Sequence, residues 1–423
     1  MKDETIAIHA GYTPDESTRA VAVPIHQTIS FEFESAQHGA DLFNLEVPGN
    51  IYTRIMNPTC DVLEQRVAQL EHGVAALAVS SGMAAVNYAI LNLASQGDNV
   101  IAAPQLYGGT YTLFAHMLPK LGIEVRIAED DSPASFRKLI DGRTKAIFFE
   151  TIGNPAGNVA ELEGIVEVAR EAGVATIADN TVPSPVLLKP IDYGVDVVVH
   201  ALTKYIGGHG TTLGGIIVDG GKFPWAEHRE RYPEFSTPEP AYHGVVYTDA
   251  FGPAAYIARA RTVALRNTGS ALSPFNAFQI MQGLETLSLR MERHCANAQA
   301  VAEYLEKHPA VAWVSYAGLP EHPHHALAQK YLGGKASGIL TFGLKGGYEA
   351  GVRTYDAFKL FKRLVNIGDA KSLACHPAST THRQLTEEEQ RAAGVTPEAI
   401  RLSIGIEHVD DIIGDLEQAL AAA

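Results

Sequence analysis

Cysteine is nearly absent from this chain: Cys60, Cys295 and Cys375 are the only three, far apart and in no Cys-x-x-Cys spacing. That excludes a disulfide framework and a cysteine-based zinc site, and a reducing, cytoplasmic location is the expectation. Long apolar runs are missing too, none approaching the ~18 residues a membrane helix requires. The opening Met1-Lys2-Asp3-Glu4-Thr5 lacks the apolar core of a secretory signal. Basic residues are outnumbered, 33 Lys and Arg against 48 Asp and Glu, for a net charge of −15. Neither nucleic acid nor an anionic membrane is therefore expected as a partner. Any anionic ligand must be held by a local site against the overall field. The familiar phosphate motifs are lacking as well. Gly208-His209-Gly210-Thr211-Thr212-Leu213 fails Gly-x-Gly-x-x-Gly at its last position, and no Gly-x4-Gly-Lys-Ser/Thr occurs.

What is present is a rhythm. The 423 residues suffice for two domains, and 46% apolar with 19% charged residues suits a folded enzyme. Between Val74 and Asp219 short apolar runs alternate with amphipathic ones. Strands are predicted at Ala75–Ser80, Asn99–Ala103, Glu124–Ala128, Ala146–Glu150, Ala175–Asp179, Val195–Leu202 and Gly214–Asp219. Helices are predicted at Met83–Ala94, Thr110–Leu121, Ser132–Ile140 and Leu162–Ala172. Such alternation implies an α/β fold with a largely parallel sheet, whose ligands sit at the carboxyl ends of strands. Lys204, Asp179 and the Ser80-Ser81-Gly82 turn all follow such ends. The Pro-, Glu- and aromatic-rich Phe223–Phe251 breaks the rhythm and reads as a functional insertion, a lid or a subunit contact. A long helix is expected over Ala277–His308, interrupted near Gly283, followed by a smaller α+β domain. The chain thus divides into an arm at 1–60, which lies on something else, a large domain at 61–258 and a small domain at 259–423.

Chemistry concentrates in a few places. After Val197-Val198-Val199-His200 comes Ala201-Leu202-Thr203-Lys204, then a glycine-rich turn. A lysine there keeps little hydration, so its neutral amine is relatively favoured. Such an amine can form a Schiff base with a carbonyl substrate or with pyridoxal phosphate (PLP), unless it is a structural cap. Asp179, ending Ala175-Thr176-Ile177-Ala178-Asp179, offers a carboxylate for a pyridine nitrogen; the plain alternative is a turn residue. Ser81-Gly82-Met83 opens a helix and presents N–H groups to an anion. Tyr107, in Leu106-Tyr107-Gly108-Gly109, can stack on an aromatic ligand. Arg401 suits a substrate carboxylate or a structural ion pair. Arg54, in Tyr52-Thr53-Arg54, can clamp a phosphate only if the arm crosses to another site. His322-Pro323-His324-His325 reads as a solvated loop rather than a metal site.

Jointly these residues resemble the Cys/Met-metabolism family of PLP-dependent enzymes. The motifs are Tyr52-Thr53-Arg54-Ile55-Met56-Asn57-Pro58-Thr59, Ser81-Gly82-Met83, Thr203-Lys204-Tyr205 and His376-Pro377-Ala378-Ser379. The likeness implies an aspartate aminotransferase-like (PLP fold type I) architecture and PLP as cofactor. It implies that Lys204 bonds the cofactor and then carries protons, while Asp179 holds the pyridine nitrogen. Ser81, Gly82, Met83 and Thr203 would bind the phosphate, with Tyr52 and Arg54 from a neighbouring subunit. Asn154 would meet the ring's phenolic oxygen, Tyr107 would stack on the ring and aid proton transfer at the leaving group, and Arg401 would take the substrate carboxylate. A dimer is then the minimum, and a tetramer is what the family suggests.

Two departures stand out. Ala201 lies where many members have serine, removing one phosphate hydrogen bond. Asn366 lies where many lyases of the family have serine. Together with the insertion and Leu106-Tyr107-Gly108-Gly109-Thr110-Tyr111, it resembles the O-acetylhomoserine sulfhydrylase branch. The expected reaction is γ-replacement on O-acetylhomoserine by sulfide or methanethiol. A methionine or cystathionine γ-lyase, or cystathionine γ-synthase, is the alternative.

Overall fold

The β-branched and small-residue runs form two sheets in the computed structural model, which describes residues 1–380, 383 and 396–423. The first sheet has seven strands: β1 (Ala75–Val79), β2 (Asn99–Ala102), β3 (Glu124–Ile127), β4 (Thr144–Glu150), β5 (Ala175–Asp179), β6 (Val197–His200) and β7 (Gly215–Asp219). Their order is β1-β7-β6-β5-β4-β2-β3, and only β7 runs against its neighbours. Strands buried on both faces need continuous apolar runs, and Val197-Val198-Val199 and Ala146-Ile147-Phe148-Phe149 supply them. The reversal of β7 has a geometric consequence. Its amino end, Gly214-Gly215, arrives at the same edge as the carboxyl ends of β1, β4, β5 and β6. A side chain at Gly215 would place its Cβ 2.0 Å from the Ser81 carbonyl oxygen. Only glycine lets the two strand ends meet there.

Helices cover this sheet as the periodicity predicts. Leu162, Ile165, Val166 and Ala169 form the buried stripe of the Leu162–Glu171 helix. The Gly82–Leu91 helix begins directly after β1, with the Ser81 hydroxyl accepting the Ala84 N–H at 3.2 Å.

The second sheet is β10-β11-β12-β9-β8, formed by β8 (Val311–Ser315), β9 (Ile339–Leu344), β10 (Lys362–Arg363), β11 (Leu373–Cys375) and β12 (Ala399–Ser403). It is antiparallel except at β10–β11. The helices Pro274–Leu284 and Leu287–Lys307 lead into it.

Four expectations are corrected. The predicted Thr110–Leu121 helix is three short pieces: Gly108–Thr112, a wide turn at Leu113–Met117 and a tight one at Leu118–Leu121. Pro119 has no N–H to continue an α-ladder there. The predicted Ser132–Ile140 helix covers only Pro133–Arg137, and strand Val195–Leu202 only Val197–His200. The long helix is interrupted near Gly283 as expected, one helix ending at Leu284 and the next beginning at Leu287. Gly283 also serves a close approach, since a Cβ there would lie 2.1 Å from the Gly207 carbonyl oxygen.

The fourth concerns the insertion. Trp225, Tyr232 and Phe235 are buried with Tyr256 in one aromatic cluster. The Tyr232 hydroxyl accepts the Ala175 N–H at 2.9 Å and donates to the Lys145 carbonyl at 2.7 Å. Those residues begin β5 and β4, so this part of the insertion seals the amino ends of the strands, opposite the site edge, and is no lid. Tyr232→Phe should therefore lower unfolding free energy by about 1–3 kcal/mol, because a buried N–H and C=O lose their partner. A denaturant midpoint shift with unchanged ligand binding is the expected measurement.

Candidate active site

The turn after β6 carries Lys204. It closes through Gly207 N–H to the Leu202 carbonyl (2.9 Å) and Gly208 N–H to the Lys204 carbonyl (2.7 Å). Gly208 sits at φ +70°, a region glycine enters without strain. Arg290, from the Leu287–Lys307 helix, clamps the turn from below. Its guanidinium donates to the carbonyls of Tyr205 (2.6 Å), Ile206 (3.1 Å) and Gly283 (2.6 Å). Burial lowers the Arg290 pKa to about 10. The half-buried Lys204 amine donates to Asn366 Oδ1 at 2.5 Å. Burial, and then the charge of Arg401, lower its pKa to about 8.

Arg401 stands on β12 yet reaches the first sheet. It donates to Asn154 Oδ1 (3.3 Å), the Val365 carbonyl (3.3 Å) and the Asn366 carbonyl (3.1 Å). Its Nε is buried with no partner. No carboxylate pairs with it among the described residues, so the structural ion pair weighed from the sequence is not found there. Lys204, Asn366, Arg401 and Asn154 form one connected set from both sheets.

Asp179 ends β5, and its Oδ1 accepts the Thr181 N–H at 2.9 Å. Burial raises its pKa, opposed by Thr181 and by the nearby His200. No lysine or arginine pairs with it among the described residues. At the neighbouring strand end, Gly82 approaches so closely that a Cβ there would lie 2.6 Å from Ala201 Cβ. The Thr203 hydroxyl is tied to the Gly214 backbone, donating at 3.2 Å and accepting at 3.1 Å. Tyr107 precedes the Gly108–Thr112 helix and is 49% exposed. Met83 lies beside it, its sulfur accepting the Thr110 hydroxyl at 3.9 Å.

Tyr52 and Arg54 are not drawn into this set. Arg54 lies over the Tyr52 ring, 5.4 Å from its centroid, and donates to the Arg266 carbonyl. The arm around them exposes Val21 (88%), Ile29 (64%) and Tyr52 (38%). The His322–His325 loop is elsewhere, with His322 against Ser315 and His324 against Val159.

The sequence reading missed two residues of this region, Arg290 and Glu150. Arg290 is hidden in an ordinary amphipathic helix. Glu150 had a visible signal, since it ends an apolar strand just as Asp179 does. The arrangement fits the expected cofactor. A helix amino end can receive an anion, a deprotonatable amine lies on the adjacent turn, and a half-buried acid without a basic partner among the described residues can meet a ring nitrogen.

Comparison with known proteins agrees. The sequence profile of a family described as Cys/Met metabolism PLP-dependent enzymes matches residues 4–421. A homocysteine synthase of Schizosaccharomyces pombe is 52% identical over 99% of this chain and 98% of its own. O-acetyl-L-homoserine sulfhydrylase 1 of Thermus thermophilus is 52% identical over the whole of both chains. A crystal structure of a Campylobacter jejuni chain, described as an O-acetylhomoserine (thiol)-lyase, superposes with TM-score 0.96 at 45% identity over 100% of both chains. That structure holds an N′-pyridoxyl-lysine-5′-monophosphate.

The Lys204 amine loses its proton as pH rises through about 8, whereas an ordinary lysine does so above 10. Near pH 8 about half of it is neutral and reactive. Capture of added PLP by cofactor-free protein should therefore accelerate through pH 8 and level off above it, followed by absorbance. A rise centred near 10 would show that the environment does not perturb the amine.

Proposed function

Because the chain belongs to the Cys/Met metabolism PLP-dependent enzyme family, we propose that it replaces the acetoxy group of O-acetyl-L-homoserine with sulfide or methanethiol. The products are L-homocysteine or L-methionine, with acetate, as a step in methionine biosynthesis. The Cγ–O bond to acetate breaks and a Cγ–S bond forms. The observation that carries this choice is the end-to-end likeness, at 52% identity, to relatives named for homocysteine synthesis and O-acetyl-L-homoserine sulfhydrylation.

Bound at this edge, PLP supplies an electron-poor ring that draws negative charge from the amino acid's α- and β-carbons. The residues divide the remaining work. Ser81, Gly82 and Met83 at the helix amino end, with the Thr203 hydroxyl, hold the phosphate. Asp179 keeps its carboxylate against the ring nitrogen, and Asn154 faces the phenolic oxygen. Arg401, a rigid fork with no competing carboxylate among the described residues, takes the substrate carboxylate. Lys204, half neutral near pH 8, accepts the proton from Cα and returns protons during the exchange. Asn366 anchors the same amine between turns. Tyr107 lies over the ring and passes a proton toward the departing acetate.

Tyr52 and Arg54 from a second copy complete the phosphate end, making a dimer the minimum unit and a tetramer the family expectation. Arg54 donates to the Arg266 carbonyl rather than to Lys204 or Ser81, and the arm around it exposes apolar side chains, which supports this reading. A cytoplasmic location belongs to the same proposal, supported by three buried, unpaired cysteines. No helix among the described residues is long and apolar enough to cross a membrane.

Incubating PLP-loaded protein with O-acetyl-L-homoserine and sulfide should give homocysteine that depends on sulfide. Dominant 2-oxobutyrate would move the protein to the γ-lyases. Lys204→Ala should abolish turnover in a folded protein. Mixing Lys204→Ala with Arg54→Ala subunits under exchange should restore about a quarter of the activity, since one site per mixed dimer is intact. No recovery would place Arg54 in its own chain's site.

A further inference from the structure

Glu150, the last residue of β4, is buried at 7% exposure and has no part in the scheme above. One of its oxygens accepts the Tyr107 N–H at 2.5 Å. The Asn154 backbone N–H lies against the same carboxyl and favours its charged form. Tyr107 follows β2 and Asn154 follows β4, so a single carboxyl meets two loops that otherwise come from different strand ends.

Its neighbour matters equally. In the parallel register Glu150 pairs with Asp179, on strands about 4.8 Å apart. Two acids therefore stand side by side, and neither makes an ion pair among the described residues. Burial, and then the charge of Asp179, push the Glu150 pKa well above the carboxylate range. Asp179 has the better claim on the negative charge, since Thr181 and His200 both support it. Burial and the Asp179 charge thus favour the neutral form of Glu150, which can still accept backbone N–H bonds.

We propose that Glu150 is a positioning residue, whose carboxyl ties the Tyr107 and Asn154 loops to the end of β4. The inference rests on the reading above that Tyr107 and Asn154 face the cofactor. It goes beyond that reading by naming the group that sets their separation. The competing role is a plain strand cap, which would affect stability and leave the kinetics alone.

Three variants separate the two roles. Glu150→Gln keeps a carbonyl acceptor for the loop N–H groups and presents N–H to Asp179, as the protonated acid does. Glu150→Leu keeps size and loses the acceptor. Glu150→Asp keeps the acid but falls one methylene short. For each, PLP affinity of the cofactor-free protein is read by fluorescence titration, and kcat and KM by homocysteine formation. Gln should stay within about twofold of the parent in both affinity and kcat, while Leu and Asp lose about tenfold or more in kcat with KM far less changed and PLP bound more weakly. Leu with parental affinity and kcat would overturn the proposal, and so would Asp matching the parent while Gln fails. If Leu does not fold, Gln against Asp decides. The parent is assayed alongside: should it bind PLP but make no homocysteine, the reaction assignment fails, while the affinity series still tests Glu150.

Discussion

Everything at the site edge depends on backbone lying against backbone, at three places where a side chain would intervene. Gly215 meets the Ser81 carbonyl, Gly82 meets Ala201, and Gly283 meets the Gly207 carbonyl. The first two bring the start of the Gly82–Leu91 helix against the lysine turn across the reversed β7. The third sets the turn on the helix that leads to the second sheet. A methyl group at any of the three would push apart elements that must be in contact for Lys204, Ser81 and Asp179 to share one edge. Burial and hydrogen bonding refine this geometry; the glycines permit it.

The two sheets meet around the same edge through polar contacts between distant parts of the chain. Lys204 reaches Asn366, Arg401 reaches Asn154, the Thr341 hydroxyl reaches the Pro155 carbonyl at 2.9 Å, and the Ser315 hydroxyl reaches the Ala156 carbonyl at 2.9 Å. Three of these four hold the Asn154–Ala156 loop. This loop is therefore fixed from the second sheet above and, through Glu150, from its own strand below. Pre-fixing reactive groups removes an entropic barrier that would otherwise be met at each turnover.

The large sheet was legible because strands buried on both faces must be continuously apolar, and their ends are where Asp179 and the Ser81 turn appear. The family motifs made Asn154, Asn366 and Arg401 visible as a set, although no periodicity could have joined residues so distant in sequence. Glu150 was overlooked because a strand-ending acid looks like the start of a solvated loop, and its partners Tyr107 and Asp179 belong to other strands. The insertion misled for a related reason. Proline and aromatic density mark an irregular segment, but not which end of the sheet it covers, and here the aromatics of Trp225–Phe235 go into the core. Local chemistry could be read from the sequence; the choice of face could not.

A chain with net charge −15 still has to hold an anionic cofactor and a carboxylate substrate. The solution visible at this edge is that, among the described residues, its buried cations are left without acids. Arg401 is held by carbonyl and amide oxygens, and Arg290 by three carbonyls. Neutral acceptors orient a guanidinium without cancelling its charge, whereas a carboxylate would do both. The same logic, inverted, applies to the acids: Asp179 and Glu150 face N–H groups and each other rather than a lysine or arginine. Two guanidinium groups held by neutral acceptors, and two neighbouring acids held by N–H groups, therefore keep their charge available at this edge. Ligand charge then completes pairs that the protein leaves open, and binding energy is concentrated where the chemistry takes place.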